Sequence, residues 1–160
     1  MGRILSYFGH GWAGSTARAL DDVVVAFANH SGFPIAFGVP VALDANGDGV
    51  VPFDPETHTA ADFVGVTVRN PAKTPESYSE ITGSYGPDDP VDVLVRGHIV
   101  ARVEDGDTIL GAPVSIFKDT GSFAVGTGDD YIPLTNVRIS VPLEPRTGLA
   151  ELLLTTRNIL

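Results

Sequence analysis

Val137-Arg138-Ile139-Ser140-Val141-Pro142-Leu143 sets Val137, Ile139, Val141 and Leu143 on one side of an extended chain and Arg138 and Ser140 on the other. Successive side chains of a strand point to opposite faces, so this alternation reads as a strand with one face in a core and the other in water. Working outward, short apolar runs recur at Asp22 to Ala28, Pro34 to Leu43, Asp62 to Arg69, Val91 to Arg96, His98 to Glu104, Ala112 to Lys118, Tyr131 to Val141 and Leu149 to Thr155. The 18 Gly and 12 Pro are spaced so that few stretches can sustain a long helix. Strands joined by turns, with no strand and helix alternation, predict an all-β fold: a jelly-roll-like sandwich or a small barrel.

A chain of 160 residues has room for one sizeable core, since a domain of this length buries roughly 70% of the surface its unfolded form exposes. Apolar residues make up 43% and charged residues 19%, enough apolar surface to offset the entropy of ordering the chain. Ten Lys and Arg against twenty Asp and Glu give a formal charge of −10. That sign opposes binding to a phosphate backbone, so nucleic acid is not an expected partner. Cysteine is absent, which removes disulfides, thiolate metal sites and thiol nucleophiles. The first ten residues lack the apolar run of a signal peptide, and no uninterrupted apolar run is long enough to span a membrane. Synthesis in the cytoplasm and no membrane partner are the expectations.

The first twenty residues differ in kind. Tyr7, Phe8 and Trp12 lie among Gly2, Gly9, Gly11 and Gly14, with Arg3 and Arg18 and no acidic residue before Asp21. This reads as an N-terminal arm of residues 1–20 ahead of a β domain of residues 21–160. Aromatics on a Gly-rich, locally cationic segment build no core of their own but make good anchors in another chain's pocket. Packing of the segment on its own domain stays open as the second reading. Asn70 to Pro90, with four prolines, reads as a long loop.

Sites of chemistry are weakly signalled. Asp44-Ala45-Asn46-Gly47-Asp48-Gly49 opens like a calcium-binding loop, making Asp44, Asn46 and Asp48 a weak calcium set. Pro55 stands where the bidentate carboxylate belongs, the flanks look like strands, and Asn46-Gly47 is a strong hairpin-turn signal. A plain turn is the stronger reading, and no cofactor is expected. His10, His30, His58 and His98 lack the paired spacings of zinc or iron sites. No Gly-x-Ser-x-Gly elbow or phosphate-binding Gly-x-x-x-x-Gly-Lys loop occurs. The carboxylates Asp88, Asp89 and Asp92, and Glu104, Asp105 and Asp107, sit beside Pro or Gly in turn-like contexts and read as solvated loop charge. No catalytic set emerges, and an enzyme is not expected.

Several pieces, taken in order, resemble the capsid cement proteins of tailed bacteriophages, also called head decoration proteins. They are Trp12-Ala13-Gly14-Ser15-Thr16-Ala17-Arg18 leading to Asp22-Val23-Val24, Ile35-Ala36-Phe37-Gly38-Val39-Pro40-Val41, and Asp62-Phe63-Val64-Gly65-Val66-Thr67-Val68-Arg69. The series continues through Tyr85-Gly86-Pro87-Asp88-Asp89-Pro90-Val91-Asp92-Val93-Leu94-Val95-Arg96-Gly97-His98-Ile99, Gly111-Ala112-Pro113-Val114 and a C-terminal strand. The length of the loop from Asn70 to Pro90 departs from the pattern. The resemblance implies a jelly-roll-like domain on the outer surface of a virion. It implies the major capsid protein as partner, a homodimer or homotrimer, and an extended N-terminal segment gripping neighbouring subunits. On this reading Tyr7, Phe8 and Trp12 are the anchors and Arg3 and Arg18 pair with shell carboxylates. Deleting residues 1 to 18 is then expected to leave a folded domain that no longer binds shells. The competing reading is a carbohydrate-binding β-sandwich on a virion or cell surface, in which Tyr78, Tyr85 and Tyr131 stack on sugars.

Overall fold

The computed structural model describes residues 12–70, 83–104, 106, 108–144 and 148–156, with no account of the side chains of 17–21 and 144. The strands are β1 (Thr16–Asn29), β2 (Ile35–Ala36), β3 (Pro40–Leu43), β4 (Gly49–Pro52), β5 (Phe63–Thr67), β6 (Ser84–Tyr85), β7 (Pro90–Arg102), β8 (Pro113–Phe117), β9 (Phe123–Ala124), β10 (Tyr131–Glu144) and β11 (Leu149–Leu154). A single 3-10 turn at Ala60–Asp62 is the helical element among the described residues. The all-β expectation holds, in its barrel form.

Pairing runs β1-β4-β3-β5-β7, and β7 pairs back onto β1, so these five strands close into a small barrel. The closing seam is narrow: β1 and β4 run parallel through only two residue pairs, Ala28 with Gly49 and Asn29 with Val50. From β7 the sheet continues through β11, β10, β8 and β9. It curls back as well, since Val103 bridges Phe123 and the Glu104 N–H donates to the Phe123 carbonyl at 2.9 Å.

The side-chain period of two explains why β7 serves both layers. Val91, Val93 and Val95 enter the barrel interior with Val41, Val50 and Val64. Leu94, Ile99 and Ala101 enter the second core, where Phe63 and Val66 meet Ile116, Phe123, Leu134, Ile139 and Leu152. A wall buried on both faces reads as a continuous apolar run rather than an alternation, which Val93-Leu94-Val95 does. Phe63 and Phe123 meet edge to face at 6.3 Å across the second core.

Two expected boundaries change. Val91 to Arg96 and His98 to Glu104 are one strand, because Gly97 continues the ladder at φ 122 beside Asp22, whose Oδ1 accepts the His98 N–H at 3.1 Å. An added Cβ there would meet that oxygen at 2.1 Å, so glycine is what fits opposite the irregular stretch of β1 between Arg18 and Val23. Pro34 to Leu43 divides into β2 and β3 at Gly38, φ 71. β2 pairs with β6 as a separate ribbon, through which Ile35 and Tyr85 join the barrel core.

Val137 and Ile139 are buried and Arg138 is exposed, in agreement with the alternation. Val141 and Leu143 are half-buried, beyond a register shift that follows Ile139.

Candidate functional site

Arg3, Tyr7 and Phe8 lie outside the described residues, as does the side chain of Arg18, whose backbone pairs with His98 in β1. Trp12 is described. Its indole is 37% exposed, with the Arg69 guanidinium carbon 5.0 Å from the ring centroid. A cation over an aromatic face is attracted by the ring quadrupole, so Arg69 holds Trp12 at the surface of its own domain. The turn beneath is tied down: Gly14 N–H donates to Val100 O at 2.7 Å, and Arg69 N–H donates to Gly14 O at 2.8 Å. Residues from Trp12 onward are therefore knitted to the barrel, and a deletion that spares the fold must stop short of them.

Large apolar side chains stand exposed at two loop tips that sequence reading passed over. Phe33 is 73% exposed in the turn after β1. Asn29, fully buried, braces that turn: its Nδ2 donates to the carbonyls of Phe33, Tyr85 and Gly86 at 2.8, 3.2 and 2.9 Å, and its Oδ1 accepts the Ser31 N–H at 3.0 Å. At the second tip, between β7 and β8, Ile109 and Leu110 are 66% and 74% exposed. Gly111 N–H donates to Ile139 O at 2.8 Å and Leu143 N–H donates to Thr108 Oγ1 at 2.9 Å, fixing this loop along β10. The first tip borders the start of β7, where Ala28 pairs with Pro90. The second lies level with its far half, since Ile139 and Leu152 align with Ile99. At about 3.3 Å per residue the two levels are on the order of 30 Å apart along the strand.

Large apolar residues in turn-like sequence give the available signal for such tips. Ser31-Gly32-Phe33-Pro34 and Thr108-Ile109-Leu110-Gly111 put large apolar groups where turn chemistry calls for polar ones.

An apolar cleft of about 230 Å³ lies between the layers, lined by Ala13, Phe37, Gly38, Pro40, Arg102 and Phe123 among others. It holds no convergent set of titratable groups.

The Asp44 loop forms a tight turn. Asp44 Oδ1 accepts the N–H groups of Gly47, Asp48 and Gly49 at 2.8, 3.2 and 3.3 Å. Its Oδ2 lies 2.8 Å from His30 Nδ1, which in turn lies 3.4 Å from Asp48 Oδ1. The His30 bond and these backbone N–H groups hold the Asp44 carboxyl down at about 2, and the same carboxylate raises His30. Asn46 is exposed on the turn. The grouping of His30 with Asp44 and Asp48 was missed because fourteen positions, with β2 and β3 between, separate the imidazole from its partner.

Among the other sequence candidates, Asp88 and Asp89 occupy the turn before β7, with Asp89 Oδ2 accepting the Gly86 N–H at 2.8 Å. Glu104 accepts the Thr120 hydroxyl at 2.7 Å, and Asp105 and Asp107 lie outside the described residues. His98 is half-buried in β7. Tyr85 is fully buried and its hydroxyl donates to Val68 O at 2.6 Å. Burial pushes that phenol up to about 12. Tyr85 therefore offers no face to a sugar, a correction to the carbohydrate reading. Tyr131 leans on Phe117 at 5.4 Å, and Tyr78 lies outside the described residues.

Comparison with known proteins adds two findings. Residues 4–155 match the family model described as structural cement protein, a phage family. A solved chain from the capsid of Myoviridae phage XM1 shares the fold with a TM-score of 0.73 and 16% identity, over 96% of this chain and 95% of that one. No curated protein matches by sequence.

Proposed function

This chain belongs to the structural cement protein family of bacteriophages, and on that premise we propose that it binds the outer surface of a capsid and stabilises the shell by clamping neighbouring major capsid subunits. The family is structural rather than enzymatic. The observation that carries the clamping is the placement of Phe33 at one level of β7 and of Ile109 and Leu110 at the other, each beside residues hydrogen-bonded to the rest of the domain. Rigid apolar anchors lose little conformational entropy on docking. Two of them on one domain touch two places on a shell at once, and the second contact gains from effective concentration.

The segment ahead of Trp12 supplies the grip, with Tyr7 and Phe8 as anchors, Arg3 pairing with shell carboxylates, and Trp12 and Arg18 contributing where the segment meets the barrel. The protein does this as a closed symmetric oligomer, a homodimer or homotrimer, so that contacts are repeated around a local axis. Removing residues 1–11, which leaves the turn at Gly14 and all of β1 in place, is expected to preserve thermal stability while lowering affinity for shells by tenfold or more. Unchanged affinity of the truncated protein in a shell-binding titration would show that the barrel alone docks.

A further inference from the structure

We propose that His30, Asp44 and Asp48 bind one divalent transition-metal ion of zinc's class, which pins the hairpin of β3 and β4 to the end of β1. The site is distinct from the loop tips and from the segment ahead of Trp12. A metal bonded at about 2.0 to 2.1 Å in tetrahedral or octahedral geometry holds its donor atoms roughly 3 to 3.4 Å apart. Here Nδ1 of His30 lies 2.8 Å from Asp44 Oδ2 and 3.4 Å from Asp48 Oδ1, and the three donors fall within 4.8 Å of one another. The ion takes the place of the proton between Nδ1 and Oδ2, and the remaining coordination positions face solvent and are filled by water.

Two features prepare the group. The other oxygen of Asp44 is already committed to three backbone N–H groups, which fix the carboxylate and leave Oδ2 directed at the imidazole. Gly49 is buried directly against the His30 ring: an added Cβ would meet Nδ1 at 2.3 Å and Cγ at 2.5 Å. The backbone itself thus sets the plane of the ring. One imidazole with two carboxylates suits zinc, manganese, cobalt or nickel, whereas calcium takes oxygen donors alone. This ligand set therefore replaces the calcium set of Asp44, Asn46 and Asp48 suggested by the loop's spacing.

The position gives the ion a structural consequence. Ala28 with Gly49 and Asn29 with Val50 are the whole of the parallel seam that closes the barrel, and His30 follows that seam while Asp44 and Asp48 flank the turn that leads into it. A bridging ion reinforces a barrel pairing that is only two residue pairs long and, through the turn at residues 31–33, steadies the Phe33 tip.

The test is calorimetric titration of the metal-stripped, untagged full chain with zinc chloride, repeated on H30A and D48N, with thermal melts of each. One zinc per chain is expected, with a rise in melting temperature that both variants lose along with at least a tenfold loss of affinity. Asp48 has an exposed side chain and that of His30 is one-third exposed, and circular dichroism checks that each variant folds. Absence of saturable zinc binding, or zinc affinity unchanged in both variants, overturns the proposal and leaves the group as a hydrogen-bonded ion pair only. Calcium binding as tight as zinc and indifferent to H30A overturns the choice of metal class.

Discussion

Gly65→Ala is expected to cost about 3 kcal/mol or more, a large fraction of the 5–15 kcal/mol that holds a typical domain together. Gly65 sits in β5, in the wall between the two cores, where a Cβ would come 2.1 Å from the carbonyl oxygen of Leu94 and 2.9 Å from Val93 Cγ1. The nearest obstacle is backbone, so no rotamer change relieves it. β5 must move away from β7, and both cores open with it: Val64 lines the barrel interior and Phe63 and Val66 the second core. Gly47→Ala is the matched control. It changes a glycine with φ 78 and nothing within 4 Å of the added Cβ, so its cost is confined to backbone conformation, about 1 kcal/mol. Urea denaturation of the two variants measures the difference; equal midpoints would mean that the approach of β5 to β7 is not tight.

The double substitution F33D/L110D is expected to lower affinity for the shell by a hundredfold or more while leaving the melting temperature within a few degrees of the parent. A buried apolar anchor at an interface contributes on the order of 2 kcal/mol, or about thirtyfold, and a carboxylate in its place adds a desolvation penalty. Both side chains are more than 70% exposed in the free protein, so folding is little affected. Each single variant should lose about tenfold or more, and loss at only one position would assign docking to that tip alone. T135D, which adds a carboxylate at an exposed position of β10, separates the loss of an anchor from added negative charge: its binding should match the parent.

Legibility of the fold followed the environment of each strand. Val137 to Leu143 declared itself because one of its faces meets water. β7 gave the right residues and the wrong number of elements, since Gly97 looks like a break in sequence and in the sheet keeps its place opposite Leu154 of β11. The start of β1 was hidden by Gly14 and by the aromatic segment before it, whose local composition suggests an arm up to residue 20. Closure of the barrel was not legible, because a parallel seam of two residue pairs depends on where β4 is carried by the Asp44 turn rather than on any local pattern. Among site residues, Trp12 was singled out for its chemistry, yet its partner Arg69 lies 57 positions away and only the fold brings them together. Phe33, Ile109 and Leu110 went unnoticed for the opposite reason: exposure is a property of the folded surface, and an isolated apolar residue near Gly or Pro is common in buried turns.

The intact protein is expected to dock on a shell and strengthen it. The most direct test is cosedimentation with mature capsids stripped of their cement protein, scored by the bound amount per major capsid subunit and by the heat resistance of the reloaded shell. Saturable binding at a fixed ratio, with a higher temperature of shell disruption, is the predicted result. Failure to bind, or binding that neither saturates nor protects the shell from heat, would contradict it.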